Sequence, residues 1–286
     1  MEMERVGVVG CGLMGTGIAE ATARAGLDVR VVDLDRAIVE AGRDRVARSL
    51  ARARSAGKLT GEEVDAALAR IEFTTDIGAL ADRHLVIEAV VEAEAEKMVV
   101  FEALDKIVES PEAILASNTS SIPIMKLAMA TGRPSQVIGI HFFNPVPVLP
   151  LVELVTSLLT SEETASAARE FAAGRLGKFV ITSQDRAGFI VNSLLIPYIL
   201  SAIRMLESGF ATADDIDLGM VKGCAHPMGP LALADLIGLD TTMAVAISLY
   251  VEFKEPLYAP PPLLARMVEA GLLGRKSGRG FYGYKD

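Results

Sequence analysis

The chain has 286 residues, enough for one large domain or two unequal ones. With 51% apolar and only 5% aromatic residues it can bury a sizeable core, of the kind helices make against a parallel sheet. A net charge of −9 argues against general nucleic-acid binding, and two cysteines, Cys11 and Cys224, exclude a disulfide framework.

The N-terminal "MEMERVGVVG" enters a strand at once and lacks the pattern of a secretory signal. The strand ends in "GCGLMG" and leads into the helical "TGIAEATARAG". That order suits a dinucleotide site: Gly10 permits the tight turn, Gly12 lets the backbone approach a pyrophosphate, and Gly15 allows close packing of helix on strand. A second strand, "DVRVVD", places Asp33 at its end, where a carboxylate holds a ribose 2′-hydroxyl and repels a 2′-phosphate. NAD is therefore expected rather than NADP, with Arg36 the residue through which NADP would enter.

From Arg43 to Lys58 the helical "RDRVARSLARARSAGK" carries six basic residues against one acid. Arg45, Arg48 and Arg52 share a face with Ser49 beside them, which fits either a solvated helix or a docking strip for a polyanionic ligand such as the phosphates of coenzyme A. "HLVIEAV", "AILAS", "VIGIHFF", "LPLVELV" and "KFVITS" read as strands, with "AEKMVVFEALDKIVES" and "SEETASAAREFAAGRLG" as helices among them. After Gln184 the strand signals stop. "GFIVNSLLIPYILSAIRMLESG" reads as one long apolar helix kinked at Pro197, too interrupted by polar residues for a membrane span. "TADDIDLGMVKG", two helices divided near Gly238, and "PPPLLARMVEAG" follow. The predicted architecture is an α/β, Rossmann-like, doubly wound and mainly parallel sheet over residues 1–184, followed by an all-helical domain over 185–286. An apolar second half of this kind suggests burial against another subunit.

Of three histidines, His141 lies in "HFFNPVPVLPLVE", where two extended runs joined by a turn could bring it face to face with Glu153. His84 opens a strand and is expected to be exposed, and His226 starts a helix; neither has a carboxylate at a telling spacing. No Cys/His cluster has metal-ligand spacing, so no metal is expected. Cys11 reads as the small residue that a glycine turn requires.

Seven segments in order, "GCGLMG", "EAVVE", "SNTSS", "HFFNPVPVLPLVE", "GFIVN", "HPMGPLALADLIGLDT" and "GRKSGRGFYGY", resemble the short-chain L-3-hydroxyacyl-CoA dehydrogenases, above all the bacterial 3-hydroxybutyryl-CoA type. The likeness spans almost the whole chain. It implies an NAD-dependent oxidoreductase of fatty-acid metabolism that interconverts short-chain (S)-3-hydroxyacyl-CoA and 3-ketoacyl-CoA. His141 would be the general base and Glu153 its partner, with Ser120 and Asn192 beside the reacting oxygen and the acyl group. The cofactor residues implied are the turn Gly10, Gly12, Leu13, Met14 and Gly15, then Asp33, Glu92, Lys97, Asn144 and, from the C-terminal tail, Lys276. The acyl-CoA strip is lysine-rich in the family and arginine-rich here; Ser49 and Arg52 are its candidate contacts. The family further implies a cytoplasmic homodimer joined through the helical domain, with no nucleic-acid or membrane partner.

Two other readings stay open. One is a related 3-hydroxy-acid dehydrogenase acting on free sugar acids such as gulonate. The other is a non-catalytic, crystallin-like protein on the same scaffold. Ser120 could also simply cap the helix beginning "IPIMKL", and Asn192 could satisfy a buried backbone group.

Overall fold

The computed structural model describes residues 3–284, and the chain divides into two compact units between Arg186 and Ala187. That point lies two residues past the predicted boundary because Asp185 belongs to the first unit. Its carboxylate accepts from the N–H groups of Ile124 and Met125 at 2.8 and 2.7 Å, capping the helix that starts there.

The first unit is built on one eight-stranded sheet: β1 (Arg5–Val9), β2 (Asp28–Val32), β3 (Ile71–Thr74), β4 (Leu85–Glu88), β5 (Ile114–Ser117), β6 (Val137–Phe142), β7 (Leu151–Thr156) and β8 (Phe179–Gln184). The strands lie in the order β3-β2-β1-β4-β5-β6-β7-β8, and every neighbouring pair is parallel except β6 with β7. The apolar runs of β1, β2 and β4 are buried at Val6, Val8, Val29, Val31, Leu85 and Ile87, as strands covered on both faces must be. Helices α1 (Leu13–Arg24), α2 (Arg36–Ser55), α3 (Gly61–Ala69), α4 (Glu94–Ile107), α5 (Ile124–Met129) and α6 (Glu162–Arg169) make the crossovers and connections, and α6 runs on into a π-helical turn at Glu170–Arg175. Strand order reverses between β1 and β4. Ligands of such sheets bind in the crevice beyond the carboxyl ends of the strands on either side of that switch.

The predicted fold class is the one observed, with one strand and one helix absent from the sequence reading. β3 is a four-residue edge strand with no fully buried residue, so it carries little apolar pattern. α3 did have a signal: Thr60 and Glu63 form a reciprocal capping box.

The second unit holds α7 (Val191–Glu207), α8 (Ala213–Gly223), α9 (Pro230–Ile237), α10 (Leu239–Phe253) and α11 (Pro262–Glu269) around a core that includes Ile199, Leu200, Ile203, Leu231, Leu249 and Leu264. The long helix starts later than "GFIVN" suggests, since Gly188 and Phe189 take left-handed backbone angles of +78° and +49°. It continues through Pro197 as a single helix. The division at Gly238 and the Thr212 cap fall where the sequence puts them. Two buried carboxylates tie this unit together. Asp217 accepts from the first N–H groups of α9, at Leu231 and Ala232, and Asp235 accepts from Phe281 and Tyr282 of the C-terminal tail.

Candidate active site

The glycine turn is strained in the way a nucleotide cradle requires. Gly10 has φ +109°, and a Cβ there would lie 2.5 Å from the Ala89 carbonyl oxygen. A Cβ on Gly15 would sit on the Gly10 carbonyl, so helix α1 can approach β1 only with glycine at that position. Gly12, the N-cap of α1, faces open space, which is the room a pyrophosphate needs beside the helix N-terminus. Leu13 is 57% exposed at the same rim, and Met14 is half-buried. Asp33 accepts from the Cys11 N–H at 2.8 Å, which pins the carboxylate at the end of β2 against the turn. Burial, followed by the Asp33 charge, pushes the Cys11 thiol up to about 12, and α2 packs on it through Gly42. Such a thiol is inert near neutral pH. Arg36 is exposed at the first position of α2.

Beyond the ends of β4 and β5 lies a charged cluster. Lys97 is fully buried and donates to Glu88 at 2.7 Å, with Glu92 at 3.2 Å. One Glu92 oxygen gathers the "SNTSS" loop: the Thr119 hydroxyl at 2.6 Å, the Ser120 N–H at 2.9 Å and the Ser120 and Ser121 hydroxyls at 3.2 and 3.3 Å. Burial opposes ionisation of Glu92, but the Lys97 charge and these hydrogen bonds outweigh it and hold the carboxyl below its ordinary value. Ser120 is therefore no helix cap. Asp185 does that work, and the Ser120 hydroxyl is held on Glu92.

On the antiparallel pair β6–β7, His141 and Glu153 are directly opposed in register. His141 Nδ1 lies 2.8 Å from Glu153 Oε2, with the carboxylate fully buried and the imidazole 6% exposed. An ionised carboxylate can only accept, so in this pair Nδ1 is the donor and Glu153 the acceptor. Phe143 packs against the imidazole with its ring tilted by 55° and 4.6 Å between ring centres, and Asn118 of the serine loop accepts from the Phe142 N–H at 2.9 Å. Asn144 is exposed in the connecting loop.

The remaining predicted residues are less convergent. Arg45 donates to the Cys11 carbonyl at 2.8 Å and braces the glycine turn. Arg48 and Arg52 are exposed on α2. Burial raises the Glu20 carboxyl of α1, partly offset by the hydrogen-bonding Ser49 hydroxyl and by Arg24 and Arg52, so Ser49 and Arg52 also have a structural partner. In the helical unit, Asn192 is half-buried in the first turn of α7, and Lys276 pairs with Asp240 at 2.6 Å. His84 is half-buried rather than exposed, because Arg5 and the Glu4 N–H both reach its ring. His226 meets the Tyr198 hydroxyl at 3.1 Å. Among the described residues, no cluster of His, Cys, Asp or Glu could hold a metal ion.

Residues 5–186 match the family model described as 3-hydroxyacyl-CoA dehydrogenase, NAD binding domain, and residues 188–284 the C-terminal domain of the same family. A 3-hydroxybutyryl-CoA dehydrogenase of Mycobacterium tuberculosis is 61% identical, covering 99% of each chain. The crystal structure of M. tuberculosis FadB2 superposes with a TM-score of 0.99 at 60% identity. That of (S)-3-hydroxybutyryl-CoA dehydrogenase PaaH1 from Ralstonia eutropha gives 0.94 at 48%, and both cover each chain in full. The chain belongs to the 3-hydroxyacyl-CoA dehydrogenase family.

As a member of this family it is an NAD-dependent hydroxyacyl-CoA dehydrogenase, and NAD is its cofactor. The turn geometry fits that cofactor: open backbone at Gly12 for the pyrophosphate and a pinned carboxylate at Asp33 for the ribose. Sequence reasoning passed over one member of this dehydrogenase's polar network in favour of Glu92 and missed two more. They are Glu88, Ser117, which donates to Glu88 at 2.6 Å, and Thr119, which is buried and accepts from the Ser121 and Ile122 N–H groups while donating to Glu92. Only "SNTSS" as a motif hinted at Thr119.

Proposed function

We propose that the enzyme interconverts short-chain (S)-3-hydroxyacyl-CoA, 3-hydroxybutyryl-CoA above all, and the 3-ketoacyl-CoA, with His141 as general base and Glu153 as its partner. The observation that carries this reading is the buried 2.8 Å contact between two residues set opposite each other on β6 and β7. The 3-hydroxybutyryl-CoA dehydrogenases among its relatives support the short acyl chain.

NAD supplies the hydride acceptor when bound. In oxidation, His141 Nε2 takes the proton of the C3 hydroxyl while the C3–H bond breaks, and Glu153 stabilises the imidazolium that results. In the reverse direction the same imidazolium returns the proton to the ketone oxygen. Ser120 turns its hydroxyl from Glu92 toward the C3 oxygen, and the Asn192 amide donates beside the acyl group; neither group titrates as charge develops. Asp33 holds the adenosine ribose, Glu92 and Asn144 the nicotinamide side, Lys97 acts through Glu92, and Lys276 reaches the cofactor from the tail. Ser49 and Arg52 meet the coenzyme A phosphates.

The enzyme works in the cytoplasm as a homodimer through its helical unit, with no nucleic-acid or membrane partner. Exposed apolar side chains there, Leu194, Phe210, Leu218 and Val251, support the dimer, and the acidic net charge argues against nucleic acid.

The test is a substrate panel with NADH: acetoacetyl-CoA, a long-chain 3-ketoacyl-CoA, free acetoacetate and an oxidised sugar acid. Highest kcat/KM for acetoacetyl-CoA is expected. Preference for a free acid would move the assignment to the sugar-acid reading, and no turnover by protein that binds NADH would favour the non-catalytic one.

A further inference from the structure

Glu88 is assigned no role by the reaction, yet it is a fully buried carboxylate at the carboxyl end of β4. Three groups donate to it: the Lys97 ammonium and the Val90 N–H at 2.7 Å each, and the Ser117 hydroxyl at 2.6 Å. Ser117 in turn accepts from the Thr119 N–H at 3.2 Å, so its own proton is directed at Glu88. Glu88 is thus the acceptor in each of these contacts. Glu92 meets the same ammonium at 3.2 Å. Two carboxylates therefore share one lysine, and the cluster carries a net charge of about −1 by simple valence counting.

Packing alone does not call for this. A buried ion pair gains little over apolar residues of the same shape. The sheet register shows where it acts. Residues Val9, Glu88, Ser117 and Gly139 pair in a row across β1, β4, β5 and β6, and His141 lies two residues beyond Gly139. At ordinary strand spacing, Glu88 is on the order of 10 Å from the His141 end of the crevice.

We propose that Glu88 is a positioning residue: it occupies Lys97, so that the cluster with Glu92 keeps one negative charge in excess, and that excess charge biases the site toward the oxidised nicotinamide. It rests on the reading that the nicotinamide half of NAD lies over the ends of β4, β5 and β6. The nicotinamide ring is cationic in NAD+ and neutral in NADH. A fixed negative charge beneath it stabilises the oxidised form and leaves the reduced form unaffected. Glu88 also fixes Lys97, and Lys97 fixes Glu92, so the charge is held in place without reorganisation during turnover.

The experiment measures dissociation constants for NADH by fluorescence and for NAD+ by competition, in wild type, Glu88→Gln, Glu92→Gln and the double variant Glu88→Gln/Lys97→Met. Glu88→Gln should raise the ratio Kd(NAD+)/Kd(NADH) on the order of tenfold, the effect of one unit charge across about 10 Å at an effective dielectric near 20. Glu92→Gln, on a half-exposed side chain and so safer for folding, should shift the ratio in the same direction. The double variant, which leaves Glu92 as the single uncompensated charge, should bring the ratio back toward wild type. If the single variants weaken both nucleotides equally, or leave the ratio unchanged, Glu88 is a structural residue and the proposal is overturned. Wild-type protein that bound neither nucleotide would instead remove the reading of the cofactor site, and this inference with it.

Discussion

At the residue scale, the site is a set of acceptors loaded with defined donors. Thr119 is the clearest case: its hydroxyl accepts two backbone N–H groups and donates to Glu92, so each of its hydrogen bonds has a fixed direction. Thr119→Val leaves those buried donors unpaired and should cost about 1–3 kcal/mol in denaturant unfolding, whereas Thr119→Ser should recover most of the loss. Glu92 gives a pH prediction. Its folded-state pKa is depressed, so its stabilising contribution is fully present above the unfolded value near 4.5 and is lost as pH falls through the folded value. The stability difference between wild type and Glu92→Gln should therefore shrink on acidification below that range. A difference independent of pH would mean that the carboxylate charge contributes nothing.

At the element scale, each motif serves either the turn it shapes or the fold around it. Gly12 has open space over its Cα, while Gly10 and Gly15 face backbone oxygens. Gly12→Ala should unfold within about 1 kcal/mol of wild type yet lose NADH affinity, because the methyl fills the room the pyrophosphate needs. Gly15→Ala should lose both. Wild-type NADH affinity in Gly12→Ala would argue against a nucleotide at this turn. The C-terminal segment "GRKSGRGFYGY" has a structural explanation, since the buried Asp235 accepts from Phe281, Tyr282 and the Tyr284 hydroxyl. Asp235→Asn turns an amide N–H₂ toward backbone donors and should cost about 2–4 kcal/mol, measured by thermal unfolding. The His141–Glu153 pairing was legible in the sequence because two extended runs joined by a Pro-containing turn can fold back on each other, and the antiparallel register sets the two residues opposite. Glu88 was not legible. The strand "HLVIEAV" holds it, but nothing in that run says what its carboxylate meets, and of Glu88 and Glu92 the sequence favours Glu92 for the cofactor. The Glu88 partner Ser117 is 29 positions away, brought alongside only by the β4–β5 pairing.

At the scale of the whole molecule, the alternation of strands and helices foretold the doubly wound sheet, and the loss of strand signals after Gln184 foretold the helical unit. The edge strand β3 escaped because an edge needs little burial and so writes little into the sequence. The proposed dimer has a direct test: light scattering at micromolar concentration should give twice the chain mass, and charges introduced at the exposed Leu218 and Val251 should halve it. A monomeric wild type would remove the role proposed for that surface.

The central claim is hydride transfer between NAD and a 3-hydroxyacyl-CoA assisted by the His141–Glu153 pair. It is tested most directly by the initial rate of NADH oxidation with acetoacetyl-CoA in wild type and His141→Ala, with NADPH in parallel and NADH affinity measured on both proteins. The account predicts turnover with NADH in preference to NADPH, a kcat about 10²–10⁴-fold lower in the variant, and unchanged NADH affinity. Near wild-type turnover by His141→Ala would make the histidine a packing residue and contradict the mechanism.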